Sequence, residues 1–257
     1  MKTNLLAFII SFTSVWSASA QKPGRPLVDP LTVMKLGTNF SYYNRDHVRL
    51  SEDFTAYNEH NKKTSKLQFL EALTSAKYLP LHLTSAPGTW AYKLYPFKGR
   101  YDKEVADITA QFAGYELNHY KCEGKKFPAF KFTDLQGNIY TNANTKGKIL
   151  VLKSWFIRCQ ACNEEMPELN AVVDKYQSRK DILFVSIAFD SKASLIKFNK
   201  RKGFKYAIAS VPETYIEQTL NTNAYPTHWV INRDGRIVKR TNEPDVMIET
   251  LDRLAGI

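Results

Sequence analysis

The chain has 257 residues, 44% of them hydrophobic and 13% aromatic, and it carries 36 Lys and Arg against 25 Asp and Glu for a formal charge of +11. That length allows one large or two small domains, and the apolar content is enough for real cores. The basic residues are interspersed with acids rather than clustered, which is the pattern of a solvated surface and argues against a nucleic-acid partner.

Residues 1–20 read as a signal peptide. Lys2 precedes an apolar stretch over 5–16, and Ala18-Ser19-Ala20 supplies small residues for cleavage after Ala20. The apolar stretch is too short to span a bilayer, which leaves an uncleaved anchor as the weaker alternative. With no Cys near Gln21, there is no lipid attachment point there. Export into an oxidising compartment follows, and a periplasmic location is the expectation. Residues 21–30 form a Pro/Gly/Lys leader expected to be extended.

Residues 31–123 are expected to form a smaller α+β domain. Ser65 with Gln68 makes a capping box ahead of Leu67, Leu70, Leu73 and Ala76, which predicts a helix. Segments 78–83 and 89–95 read as strands, the second placing Trp90, Tyr92 and Leu94 on one face. Asp102 can cap a further helix carrying Val105, Ile108, Phe112 and Tyr115, ended near Gly124. No chemical motif stands out in this half. His47, His60, His82 and His119 are isolated in sequence and read as surface or core residues. Asn39-Phe40-Ser41 matches a glycosylation sequon, a triplet common by chance. This half is expected to pack against the rest and shape substrate choice.

Residues 124–257 follow a different pattern. Segments 127–133 and 139–140 look like a hairpin around Gly137. A buried strand is expected over 148–156 and a helix over 160–177, with Pro167 tolerable as a kink. Then come a strand over 182–188 and a helix over 191–202 closed by Gly203. Strands over 224–232 and 236–240 form a hairpin through Asp234-Gly235, and a last helix covers 244–254. Strands alternating with helices give an α/β sandwich around a mixed sheet.

The chemistry concentrates in Trp155-Phe156-Ile157-Arg158-Cys159-Gln160-Ala161-Cys162. Two of the three cysteines stand at C-x-x-C spacing at the start of a helical pattern, an arrangement suited to reversible dithiol and disulfide exchange. A helix N-terminus and the Arg158 guanidinium can both stabilise a thiolate at Cys159, and Cys162 lies one turn on. Cys122 is left over and reads as a partly buried free thiol, with a resolving or intermolecular role as the alternative.

Residues 127–257 resemble the thioredoxin fold, a mixed central sheet flanked by helices, and within it the exported TlpA/ResA-type thiol–disulfide oxidoreductases. The resemblance rests on Phe127-Pro128-Ala129-Phe130, Asp134-Leu135-Gln136-Gly137, the run 155–162, Glu165-Met166-Pro167-Glu168-Leu169 and Tyr225-Pro226-Thr227-His228. It implies Cys159 as the exposed nucleophile, Cys162 as the buried resolving thiol, and Pro226 as a cis-proline facing the pair. Arg158, Trp155, Tyr225, Pro226 and Thr227 would bind substrate, Tyr225 by backbone hydrogen bonds to an extended segment. Ala161 stands where the family commonly has Pro, and Arg158 where it has an aromatic or small residue. These changes bear on the redox potential rather than the reaction. Lys153 occupies the strand position where relatives keep a buried acid or Asn, and Glu165 is similar to the buried Glu of the ResA type. The expectation is that Lys153 and Glu165 face each other beneath Cys162 and shuttle its proton. The alternative is a snorkelling, inert Lys153.

The resemblance implies a disulfide reductase whose only redox group is the Cys159/Cys162 couple, with no other cofactor and no metal. Its partners would be exported protein disulfides and thiols and a membrane electron donor, with the protein itself a monomer. Haem attachment is excluded by Asn163, where a His would be needed. A zinc site lacks a second ligand pair. Two other readings stay open. One is a thioredoxin-fold copper chaperone, for which His228 is the sole distal His. The other is a scaffold protein whose N-terminal half binds a partner.

Overall fold

The computed structural model describes residues 22–257, so the expected signal peptide lies outside the described residues. The N-terminal portion starts at Asp29, whose carboxylate caps α1 (Pro30–Met34) by accepting from Leu31 and Thr32. The leader is therefore helical by Pro30, and before that Pro26 bridges to Leu83. Helix α2 (Gly37–His47) follows with no side-chain cap. Next come β1 (Phe54–Tyr57), β2 (Lys63–Thr64) and α3 (Lys66–Leu73), the last closed by the predicted Ser65–Gln68 capping box. Strands β3 (Tyr78–His82) and β4 (Trp90–Pro96) complete a four-stranded sheet in the order β2-β1-β4-β3, with β1 and β4 parallel. Helix α4 (Lys103–Cys122), capped by Asp102, packs against α3 and runs on to the last strand of the second sheet. Met34, Phe69, Leu70, Leu73, Leu79 and Tyr92 fill the core of this portion. The histidines here are not all isolated. His47 and His82 bring their Nδ1 atoms to 3.5 Å, because α2 packs beside β3.

The C-terminal portion opens with the short hairpin β5 (Lys131–Thr133) and β6 (Ile139–Thr141), turned at Gly137 with φ 94°. Strand β7 (Ile149–Trp155) is buried along its whole length. It leads into α5 (Gln160–Glu164) and α6 (Met166–Lys175). The expected single helix is thus two, joined at Glu165. Pro167 cannot donate to a carbonyl one turn back, so it serves as the first turn of a new helix. Then follow β8 (Ile182–Ala188), α7 (Lys192–Lys202), β9 (Ala207–Ser210), a π-helical turn at Tyr215–Thr219, β10 (Thr227–Ile231), β11 (Ile237–Thr241) and α8 (Pro244–Ala255). Strand β9 and the π-helical turn have no counterpart in the sequence reading.

The five strands run β11-β10-β7-β8-β9, with β7, β8 and β9 parallel and β10 antiparallel to both its neighbours. This is a thioredoxin-like sheet. Helices α5 to α8 pack into one core with Ile149, Val151, Trp155 and Val230, while Leu150, Leu152, Trp229 and Ile231 of the same strands pack with Phe132 and Ile216 in a second. The central strand therefore ends at the cysteine pair, where a parallel strand delivers its C-terminal residues to a helix start. Among the described residues, no helix is long and apolar enough to cross a membrane.

Candidate active site

Cys159 and Cys162 are joined in a disulfide, with Cα atoms 5.3 Å apart. Cys159 is the N-cap of α5, and its Sγ accepts from the Cys162 backbone N–H at 3.1 Å. The approach loop is held by side chains. Asp190 accepts from Ile157 N at 2.8 Å, and Asn163 Nδ2 donates to the carbonyls of Ile157 and Cys159 at 2.9 and 2.8 Å. The two sulfurs differ in access. Cys159 is 7% exposed and Cys162 0%. Cys159 is thus the more accessible of the two but is not openly exposed in the disulfide state.

The expected surface residues divide. Arg158 is exposed, while Trp155 is fully buried, with its ring against Phe198 and Phe204. Trp155 belongs to the core and cannot meet a substrate, because β7 is covered on both faces. Thr227 is also fully buried, and its hydroxyl donates to Ala224 O. The Tyr225–Pro226 peptide is cis. Pro226 is buried, and its carbonyl accepts from Asn242 Nδ2, which also donates to Thr227 Oγ1 at 3.0 Å. Tyr225 is half-buried and packs edge-on against Phe156 at 5.4 Å, and Phe189 joins both rings. Phe156 and Tyr225 pack against the core that holds Cys159, and Phe189 extends this aromatic group.

Beneath Cys162 the sheet carries charge. The Lys153 ammonium is completely buried and donates to Cys162 O at 3.2 Å and to the Glu165 carboxylate. Lys153 does not snorkel. Burial pulls its ammonium down to about 7. The same carboxylate lies 3.2 Å from His228 Nε2, and His228 is the register partner of Lys153 across β7 and β10. Burial, then the Lys153 charge, hold the imidazole well below its usual value. Sequence reasoning weighed His228 only as a copper ligand and missed it here, along with Asn163, Asp190 and Asn242. A His directly after Tyr-Pro-Thr, on a strand due to pair with the one bearing Lys153, was the available signal.

Cys122 lies on α4 against a second core containing Phe127 and Trp229, and its thiol donates to His119 O. Burial pushes that thiol up, away from the reactive thiolate. Among the described residues, no three His, Cys, Asp or Glu side chains are grouped to hold a metal ion.

The AhpC/TSA family matches residues 124–240. A thiol–disulfide oxidoreductase ResA of Bacillus cereus is 30% identical over 117 residues, spanning 46% of this chain and 68% of that one. The ResA of Bacillus subtilis is 27% identical over 131 residues, spanning 51% of this chain and 71% of its own. The chain belongs to the ResA-type thiol–disulfide oxidoreductases. A putative DsbE-type interchange protein from Chlorobium tepidum superposes with a TM-score of 0.46 at 21% identity, covering 52% of this chain and 95% of its own. Each of these relatives matches about half of this chain. The family match covers residues 124–240, which include Cys159 and Cys162.

Proposed function

We propose that the protein is an exported disulfide reductase, periplasmic and monomeric, that passes electrons from a membrane donor to disulfides of other exported proteins. The observation that carries this is the asymmetric pair: one sulfur at a helix start beside an aromatic group, the other sealed over a buried Lys–Glu pair. The Cys159 thiolate attacks a substrate disulfide and forms a mixed disulfide. The Cys162 thiolate then attacks Cys159, closing the internal disulfide and releasing the reduced substrate. An extended substrate segment would lie along Tyr225 and Pro226, against the Phe156 and Phe189 rings. Cys162 has to lose a proton inside the protein, and Glu165, paired with the Lys153 that donates to Cys162 O, is assigned as its base.

Insulin reduction by the wild type and by Cys159→Ser tests the reading. The variant is expected to lose all turnover. An active Cys159→Ser protein would contradict it and favour a partner-binding role for the N-terminal half. Direction is tested by the reduction potential of the couple, where a value near about −270 mV supports a reductase and one near about −120 mV an oxidase.

A further inference from the structure

Lys153 and His228 sit opposite each other on β7 and β10 and reach one carboxylate from two sides. Lys153 and His228 are 0% exposed at their side chains and Glu165 is 8% exposed. The imidazole Nε2 lies 3.2 Å from Glu165 Oε1 and 3.3 Å from Oε2. A carboxylate here can only accept, so Nε2 carries the hydrogen. Nδ1 is buried with no hydrogen-bond partner. A doubly protonated ring would seal a second N–H without an acceptor and set a second cation beside Lys153. The ring is therefore neutral, a fixed single donor. A residue that merely filled this space would be better apolar, since the orphan nitrogen is a cost that an aliphatic side chain does not carry.

Resting on the reading of Cys162 as the resolving thiol and Glu165 as its base, we propose that His228 is the positioning residue of that proton transfer. Its Nε2–H holds Glu165 ionised and turned toward Cys162. In the mixed disulfide, Cys162–SH gives its proton to Glu165. The Cys162 sulfur forms a bond to Cys159 as the bond from Cys159 to the substrate sulfur breaks. The electron pair leaves on the substrate sulfur, which takes a proton from solvent, and Glu165 returns its proton to solvent. The Lys153 ammonium balances the thiolate while Glu165 is neutral. The charged groups that meet His228 are Lys153 from β7 and Glu165 from the α5–α6 junction, and α8, also packed against β10, carries Asp245, Glu249, Asp252 and Arg253. The register partner of His228 on β11 is Thr241, which does not titrate.

The test uses the full-length protein loaded at Cys159 with thionitrobenzoate, whose release reports resolution. His228→Leu is expected to slow release about tenfold near neutral pH and to move the pH midpoint of the rate upward. His228→Gln keeps an N–H donor and is expected to restore most of the rate and the midpoint. His228→Met is the second apolar variant should Leu not fold. Wild-type rate and pH profile in both apolar variants would overturn the proposal. So would equal slowing in the Gln and apolar variants with an unmoved midpoint, the mark of a purely structural residue. Glu165→Gln runs alongside. If it resolves normally, the base assignment fails and the His228 proposal with it. If it is slow while the apolar His228 variants are not, only the His228 proposal fails.

Discussion

Under the cysteine pair, one carboxylate is shared by Lys153 and His228. Where α4 meets β11, a second group collects the buried Lys239 with the half-buried Lys66, Glu116, Glu123 and Glu243. Lys239 pairs with Glu123 at 2.9 Å and donates to Ser51 O at 3.1 Å. Lys66 donates to the carbonyls of Ser51 and Glu52, and the Ser51 hydroxyl donates to Glu243. Both groups hide charge from water, and both show its cost in displaced titration. Their surroundings differ. Lys66 braces the loop at Ser51 and Glu52 from within the N-terminal portion, and Lys239 on β11 with Glu243 at the start of α8 bond to Ser51 and so fasten that loop to the second sheet. Lys153 bonds instead to the carbonyl of Cys162, one half of the disulfide. The same chemistry ties two portions of the chain in one place and meets the disulfide in the other.

That contrast breaks most sharply at Lys153. Lys153→Met is expected to slow resolution of the mixed disulfide by about a hundredfold while sparing the first attack, since a positioned acid–base group contributes about 10²–10⁴. Glu165→Gln is expected to do the same, and the double variant to be no worse than either single one, because the two act as a unit. Trapping the mixed disulfide and timing its decay checks this. Unchanged decay across pH would remove Lys153 from the chemistry. A matching change in the second group should leave that decay untouched. Lys239→Met strands Glu123 and is expected to cost about 3 kcal/mol of stability, as removal of one partner of a buried pair does. Urea unfolding measures it, and a loss below about 1 kcal/mol would mean that water reaches the seam.

Truncating the chain to start near Gly124 separates the two groups altogether. The truncation deletes Lys66, Glu116 and Glu123 but keeps Lys153, Glu165 and His228. It is expected to retain insulin reduction within about threefold at lower stability, because the deleted partners only fasten. A folded truncation without activity would show that the N-terminal portion takes part in the chemistry.

What could be read in advance follows the same division. The C-x-x-C and Glu-x-Pro segments have fixed spacing, so the meeting of Cys159, Cys162 and Glu165 could be expected, the resemblance added Lys153 beneath them, and the thioredoxin-like order of elements was legible too. His228 was not, because its neighbour Lys153 is met only across a strand register that no local pattern encodes. Trp155 was misplaced for a related reason. Its position beside the pair says nothing of the Phe198 and Phe204 rings that enclose it. In the N-terminal half, α2 has no side-chain cap, β2 has two residues, and β1 pairs in parallel with a distant strand. Each is stabilised by tertiary packing rather than by local signals, and each went unread.

The smallest expected effect lies at Glu116, and it tests whether the second group is a fastening with a cost. Burial and the nearby Glu243 push this carboxyl up from 4.5 to about 7. A carboxyl whose folded value is raised binds more protons folded than unfolded between those limits, so stability falls as pH rises through that window. Its contribution is intact below about pH 4.5 and lost above about pH 7. The full shift corresponds to on the order of 3 kcal/mol. The side chain keeps 12% exposure, so some of that is screened, and about 2 kcal/mol is expected. Glu116→Gln removes the ionisation and keeps the shape. The variant should match the parent near pH 4.5 and exceed it in stability by about that amount near pH 8, with no change in mixed-disulfide decay at either pH. Parallel stability curves would place Glu116 in contact with water. A changed decay rate would join the two buried groups into one.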